Sequence, residues 1–469
     1  MSLIKTHVFF LFCCVVLFFT VCSEALSGHN PQRIAQFVIS VSSMIFLLVH
    51  SARKPLCCMF GAKVKIVFVI VLVLGCASCI TANQPLWAFT ELSVFLLSCG
   101  LAVTFALQRQ IHGAQLDRLL VAFVMFLCLA KSLEYTTATA AGFLSAERLL
   151  DTDLLLTGFS NKRFYGQFQT FTLPLLTLPL LLDSVPRRIK AFAFCLLSFW
   201  WMIAISGGTR GTWLGMAVAI SAACCLGQGG RLWARYQLIA ALTGLAIYIL
   251  VFSTLASLLE VQITNFAGGR LTTTLSAREI LWQQAWSMIK LHPFLGSGPM
   301  HFAETWNAVA AHPHQAILQW GSEWGIPSTL FVTGLTLYGL SRTGSLIRKQ
   351  ASSLDQTDLM RLCLFGSLVG ALTQSMVDGI IVMPYSQLWL ALVVGWLLGM
   401  RPSPVATPAS GITNRLCLLP LILASGLLLF TIARDAPTNA VREHQFLEDH
   451  PGRLLPRFWM QGVILPEAK

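Results

Sequence analysis

The stretch "HPHQAILQWGSEWG" at residues 312–325 sets two imidazoles, a carboxylate and two indoles just before a long apolar run. A neutral imidazole, with an unperturbed pKa near ~6.5, is suited to take a proton from an attacking hydroxyl. Either His312 or His314 could fill that role. The two flank Pro313, which favours extended or turned backbone, so they do not share a helix face. A helix starting after them lines up Gln315, Gln319 and Glu323 at i, i+4 and i+8. Glu323 is placed to orient a histidine or balance its charge, unless it merely caps the span. His312, Gln315 and Glu323 are candidate substrate contacts. No further ligand set stands at zinc spacing, so no metal is expected.

Two more stretches carry cations. In "SGGTRGTWLG" (206–215) small residues surround Arg210 as a new apolar span begins. An arginine among small and hydroxyl residues at a helix start describes an anion site; the simpler alternative is a guanidinium snorkelling to the headgroups. In "GFSNKRFYGQ" (158–167) Lys162 and Arg163 precede an aromatic pair. They read either as an interfacial belt or as further cations aimed at the same anion, for which the planar arginine fork is suited. "SAREILW…LHPFLGSGPMHF" (276–302) adds Arg278 as a substrate contact, beside Glu279 and His301. Lys131 and Glu134 are three apart inside one span and should neutralise each other. Asp378 lines the cavity or ends its helix; Trp320 and Trp324 are candidates to stack on sugar faces.

The elements that must hold these groups are membrane helices. Apolar residues make up 55% of the 469 positions, charged ones 11%, and the mean hydropathy is +0.70; a soluble domain is nearer ~25% charged. Runs such as "VKIVFVIVLVLGCASCI" approach the ~20 apolar residues that cross a bilayer. The class is all-α, a polytopic membrane protein of about 12–13 spans. The thirteen stretches are 8–22, 34–50, 64–80, 86–107, 118–143, 168–183, 189–205, 211–226, 236–258, 325–341, 360–377, 386–400 and 415–433. With the N-terminus inside, the inner connections carry Arg53, Lys54, Lys63 and Lys65, Arg109 and Arg118, Arg187, Arg188 and Lys190. Arg231 and Arg235, Arg342, Arg348, Lys349 and Arg361, and Arg401 and Arg415 follow, as the positive-inside rule asks. The candidate site residues then share the outer face.

The domain reading is N-terminal helices to residue 150, a catalytic membrane region at 151–400 with a large outer loop at 259–324, a last helix at 401–433 and an outer tail at 434–469. The net charge of +12 is spread through short loops rather than gathered on one face, which argues against nucleic acid. The fourteen cysteines lie mostly inside apolar runs, as small buried hydrophobes.

Taken in order, "SGGTRGTWLG", "SAREILWQQAWSMIKLHPFLGSGPMHF" and "HPHQAILQWGSEWGIPSTL" resemble the O-antigen ligase and polymerase superfamily of bacterial glycosyltransferases, over roughly residues 155 to 400. The family's histidine motif usually reads H-x-H-N, and Gln315 stands here for the Asn. "GFSNKRFYGQFQTFTLPLL" and the tail "LLPRFWMQGVI" are most similar to its type IV pilin oligosaccharyltransferase branch. The resemblance implies a GT-C-like enzyme of the inner membrane that takes a preassembled glycan from undecaprenyl diphosphate. The chemistry would proceed on the periplasmic face, without metal or cofactor. The acceptor would be a Ser or Thr hydroxyl of pilin; lipid A core or a growing O-chain are the alternatives. In that scheme Arg163 and Arg210 stabilise the leaving diphosphate, with Arg278 assisting and Lys162 as a further substrate contact; His314 takes the hydroxyl proton, and His312 orients it or substitutes for it.

Overall fold

The computed structural model describes residues 2–51, 60–265, 267–270, 277–350, 355–401, 411–450 and 452–464. Arg53 and Lys54 of the first basic loop, and parts of the 259–324 loop and of the tail, lie outside the described residues. The chain is 77% helical. Its first half builds α1 (Ser2–Cys22), α2 (His29–Ser51), α3 (Ala62–Thr81), α4 (Pro85–His112), α5 (Ala114–Leu144), α6 (Lys162–Leu176), α7 (Leu178–Leu181), α8 (Arg187–Ser206) and α9 (Arg210–Cys224). The second half builds α10 (Gln228–Ile249), α11 (Ala256–Leu258), α12 (Arg278–Leu291), α13 (Ala316–Lys349), α14 (Gln356–Gln374), α15 (Pro384–Gly399), α16 (Gly411–Asp435) and α17 (Asn439–Asp449). A parallel pair of three-residue strands, Leu149–Asp151 and Gln262–Thr264, ties the loop after α5 to the loop after α11.

Every apolar stretch read from the sequence falls on these helices, the one at 236–258 running from α10 through a π-helical segment at Leu250–Leu255 into α11. Among the described residues six helices, within α2, α3, α4, α8, the α10–α11 unit and α16–α17, are long and apolar enough by themselves to cross a bilayer. His7–Cys22 and Pro384–Gly399 are shorter apolar helices. This is an all-α, multi-pass membrane protein. Two stretches differ from the expected unbroken span. The one at 168–183 divides at Thr177 into α6 and α7. The break frees the carbonyls of Leu173 and Pro174, which accept from Gln237 Nε2 (2.8 Å) and Trp233 Nε1 (3.2 Å). A broken helix at membrane depth needs such replacements, because lipid offers no donors.

The other departure is α13, which starts well before residue 325 and kinks at Gly325 (φ 81°). Pro327 has no N–H to give the Glu323 carbonyl, so that carbonyl accepts from Gly298 N (3.1 Å) and Ser78 Oγ (3.1 Å). Ser322 O accepts from Ser297 N (2.9 Å), and Ile326 N donates to Pro293 O (2.8 Å). The "HPFLGSGP" turn therefore clasps the kink and accounts for each displaced backbone group.

Lipid tails are as apolar as leucine, so helix association here rests on close packing rather than on water exclusion. Gly395 and Gly399 of α15 let it approach the α4 backbone; a methyl at either would fall 2.4 Å or 2.6 Å from the Ala102 or Ala106 carbonyl oxygen. On α9, a methyl at Gly215 would meet the Gly370 carbonyl of α14 at 2.6 Å. Between them lies a core of fully buried Trp200, Trp389 and Trp396, with Phe168 and Tyr385. Lys131 and Glu134 pair at 2.6 Å, as the spacing predicts; Lys131 also donates to the Val21 and Thr157 carbonyls.

The two ends of the bundle differ. One carries the buried Arg109–Asp117 pair (2.7 Å), with Trp396 Nε1 donating to the same carboxylate, and Arg361 reaching the Met400 carbonyl. The other gathers the starts of α6, α9, α12 and α13, the α14–α15 turn and the C-terminal tail.

Candidate active site

The site is built from helix beginnings. Asn161 caps α6 by accepting from Arg163 N (2.9 Å), fixing where Lys162 and Arg163 leave the backbone. Gly166, one turn later, brings α6 against the start of α9; a methyl there would stand 2.5 Å from the hydroxyls of both Thr209 and Thr212. Arg210 and Arg278 are the first residues of α9 and α12. Each of these arginines sits at the end of its helix where the macrodipole disfavours a cation, by about 0.3–1 kcal/mol. The arrangement breaks a local rule at three helices that meet at one place. It becomes favourable when an anion is held between them.

The histidines complete the ring. Residues 312–314 lead into α13, whose first N–H, Ala316 N, donates to Ser375 O (2.9 Å) at the end of α14. Gln315 caps α13 by accepting from Leu318 N. His314 adopts a left-handed backbone (φ 54°), which few residue types tolerate. Its Nε2 lies 3.4 Å from Arg163 Nη1, and its Nδ1 lies 4.0 Å from Asp378 Oδ1. A guanidinium only donates, so Nε2 carries the lone pair and the ring proton is on Nδ1, facing Asp378. His312 packs edge-on against His314 at 4.2 Å, its Nδ1 accepting from His314 N (3.4 Å). Gly379 makes room for it, since a methyl there would fall 2.4 Å from His312 Cε1.

Electrostatics favour a neutral base. Burial, then His312, Arg163, Arg278 and Arg453, hold His314 well below the usual histidine range. Burial, Arg457 and Arg163 do the same for His312. Asp378 is pushed up by burial and pulled back by Arg163 and the Gly379 N–H, which donates to it at 2.8 Å. Gln374 Nε2 donates to its other oxygen at 3.2 Å. Burial, with Arg163 and Arg210 nearby, lowers Arg278; its Nη2 donates to the Val377 carbonyl (2.8 Å) beside Asp378. Arg163, Arg210, Arg278, His312, His314 and Asp378 thus form one constellation.

Other expected residues are committed elsewhere. Lys162 Nζ pairs with both carboxylate oxygens of Asp153 at 2.6 Å, nine residues upstream. Glu323 is buried and pairs with Arg457 Nη2 at 2.7 Å, away from the histidines it was expected to orient. With its amide oxygen turned toward the same guanidinium, Gln319 accepts at 2.7 and 3.1 Å. Trp320 and Trp324 stack on each other at 4.8 Å, and Trp324 is buried against Gly75 and Phe95, so neither of its faces is open to a sugar. His301 is a structural histidine: Nε2 accepts from Gln84 N (3.0 Å) and Nδ1 meets Pro299 O (2.9 Å). Among the described residues no group of three or more His, Cys, Asp or Glu is gathered as a ligand set.

Asp378 stands closer to the histidines than its place at a helix end suggests, and the tail, marked in the sequence by "LLPRFWMQGVI", brings two arginines to this end of the bundle. Arg457, 1% exposed, reaches Glu323, and Arg453 donates to the Val309 carbonyl (2.8 Å) on the segment that carries the histidines. The basic "GRLLPRF" stretch was the available signal; nothing local says where it folds.

Residues 193–333 match the family model described as O-antigen ligase, a family of glycosyl-transferring enzymes. The matched stretch holds Arg210, Arg278, His312 and His314, while Arg163, Asp378 and the tail come from outside it. A search of the curated proteins finds no match.

Proposed function

We propose that this membrane enzyme of the O-antigen ligase superfamily moves a preassembled glycan from undecaprenyl diphosphate to a serine or threonine hydroxyl of type IV pilin. The reaction runs on the periplasmic face of the bacterial inner membrane, with inversion and without metal. The observation that carries this reading is the 3.4 Å approach of Arg163 to the lone-pair nitrogen of His314, inside a cluster of arginines at helix starts. Proton acceptor and anion ligand are neighbours, as a displacement at an anomeric carbon requires.

The hydroxyl oxygen bonds to sugar C1 while the bond from C1 to the phosphate oxygen breaks. The electron pair stays on the diphosphate, and the hydroxyl proton passes to His314 Nε2. Charge grows on the leaving diphosphate, where Arg163, Arg210 and Arg278, already engaged with the bound donor, meet it without further rearrangement. Asp378, facing Nδ1, steadies the imidazolium that forms. Before the donor arrives, Arg163 faces the His314 lone pair; a bound diphosphate draws the guanidinium away and frees the base.

A second reading keeps the chemistry and changes the acceptor to lipid A core, and the family match to O-antigen ligases favours it. Reconstitution with a labelled lipid-linked glycan, offered a pilin peptide and lipid A core separately, decides between them. Transfer to peptide, undiminished by a chelator, is the expected result. Transfer to lipid A core alone selects the second reading. Movement of the donor across the bilayer with no transfer rejects both, in favour of a flippase.

The pH profile gives an independent check. Because burial and cations depress the His314 pKa, the acid limb of kcat/KM, which reports the free enzyme, lies below ~6.5. Removing one of those cations raises that pKa, so Arg163→Gln should move the limb upward. A limb that stays in place, or moves to lower pH, contradicts the assignment of the base.

A further inference from the structure

We propose that the C-terminal tail is part of the active site and supplies Arg453 as a further ligand of the diphosphate. This rests on the reading of the site as one for a lipid diphosphate donor.

The tail is anchored as a built element. Its Arg457 is buried between Glu323 (2.7 Å) and Glu91 (3.6 Å), and its carbonyl accepts from His29 Nε2 (3.1 Å) and Arg33 Nη2 (3.0 Å). Trp459 Nε1 donates to Asp435 (3.0 Å), Met460 N to Asn30 (2.8 Å) and Ile464 N to Ala303 O (3.1 Å). Removing an arginine from water is costly unless ion pairs and hydrogen bonds replace the hydration. Here they do, and the result is a fixed strap across segments far apart in sequence.

What the strap presents is Arg453. The turn that closes on Gly462 leaves room there for no side chain: a methyl would meet the Leu455 carbonyl at less than van der Waals distance and Ala311 Cβ at 3.2 Å. Ala311 directly precedes His312. Arg453 Nη2 donates to Val309 O (2.8 Å), holding the guanidinium over the same segment, and the side chain remains exposed. One donor of five is used there, and the fork keeps others for phosphate oxygens. The part of Arg453 turned from solvent, together with Arg163, holds it below its ordinary value, and Arg453 in turn acts on His314, so the three share one field. With the Lys162 charge taken by Asp153, Arg453 occupies the role of a further cation beside Arg163.

The test uses the full-length protein in nanodiscs with inorganic pyrophosphate as the probe, measured by calorimetry, beside donor and acceptor kinetics. Arg453→Gln should weaken pyrophosphate binding about tenfold. The donor KM should rise similarly, with the acceptor KM and melting temperature unchanged, and Arg453→Lys should recover part of the loss. Unchanged pyrophosphate affinity in Arg453→Gln overturns the proposal. So does a loss that follows only the anionic lipid content of the nanodisc, which would make Arg453 a headgroup anchor. If the wild-type protein binds pyrophosphate but transfers nothing to peptide or lipid A core, the function reading fails while the binding comparison still judges Arg453.

Discussion

Replacing His314 by asparagine should lower kcat by about a thousandfold, with the protein still inserted and the donor KM little changed. Asparagine is the informative substitute because the His314 backbone is left-handed (φ 54°), a conformation that asparagine tolerates and alanine does not. The variant keeps the loop and removes the base. Positioned general bases contribute about 10²–10⁴-fold, and two features put His314 in the upper part of that range. Its Nε2 is fixed as the acceptor by Arg163, and its Nδ1 proton faces Asp378. His312 is poorly placed as a replacement, because its Nδ1 already accepts the His314 N–H. Steady-state kinetics on nanodisc-inserted protein read the result. A variant within tenfold of wild type in kcat would mean that the proton goes elsewhere.

The helices were legible in the sequence because membrane spans announce themselves locally, through twenty or so apolar residues bounded by basic loops. The break at Thr177 was not, because it is made tolerable by Gln237 and Trp233, sixty residues away. The same divide runs through the site. Arg210 and His314 stand in stretches whose small residues, prolines and polar clusters are unusual beside a span, so composition was enough to single them out. Lys162 looked like a companion of Arg163 because the two are adjacent, yet adjacent residues at a helix start leave the axis in different directions, and Lys162 meets Asp153. Glu323 lies on the expected helix face with Gln319, but what fills that face is Arg457, 134 positions on. No periodicity encodes a pairing between segments that meet only after the bundle has packed through Gly166, Gly215 and Gly395.

Arg210→Gln should cost about 10²–10³ in kcat, the usual effect of removing one preorganised donor from a developing oxyanion. Arg210 opens α9, so its charge adds to the positive end of that helix at the proposed anion site. The loss should appear in kcat more than in the donor KM. The ground-state diphosphate is already ionic, and the charge that Arg210 must meet is the part that grows as the C1–O bond breaks. Combining Arg210→Gln with Arg163→Gln tests whether the two serve one leaving group. If they do, the double variant loses less than the product of the single effects, because a phosphate deprived of one ligand is already badly stabilised. Lysine at 210 should restore the charge without the bidentate fork and recover only part of the rate. Fully multiplicative losses would place the arginines on separate groups, and a pure KM effect would reduce Arg210 to a ground-state anchor.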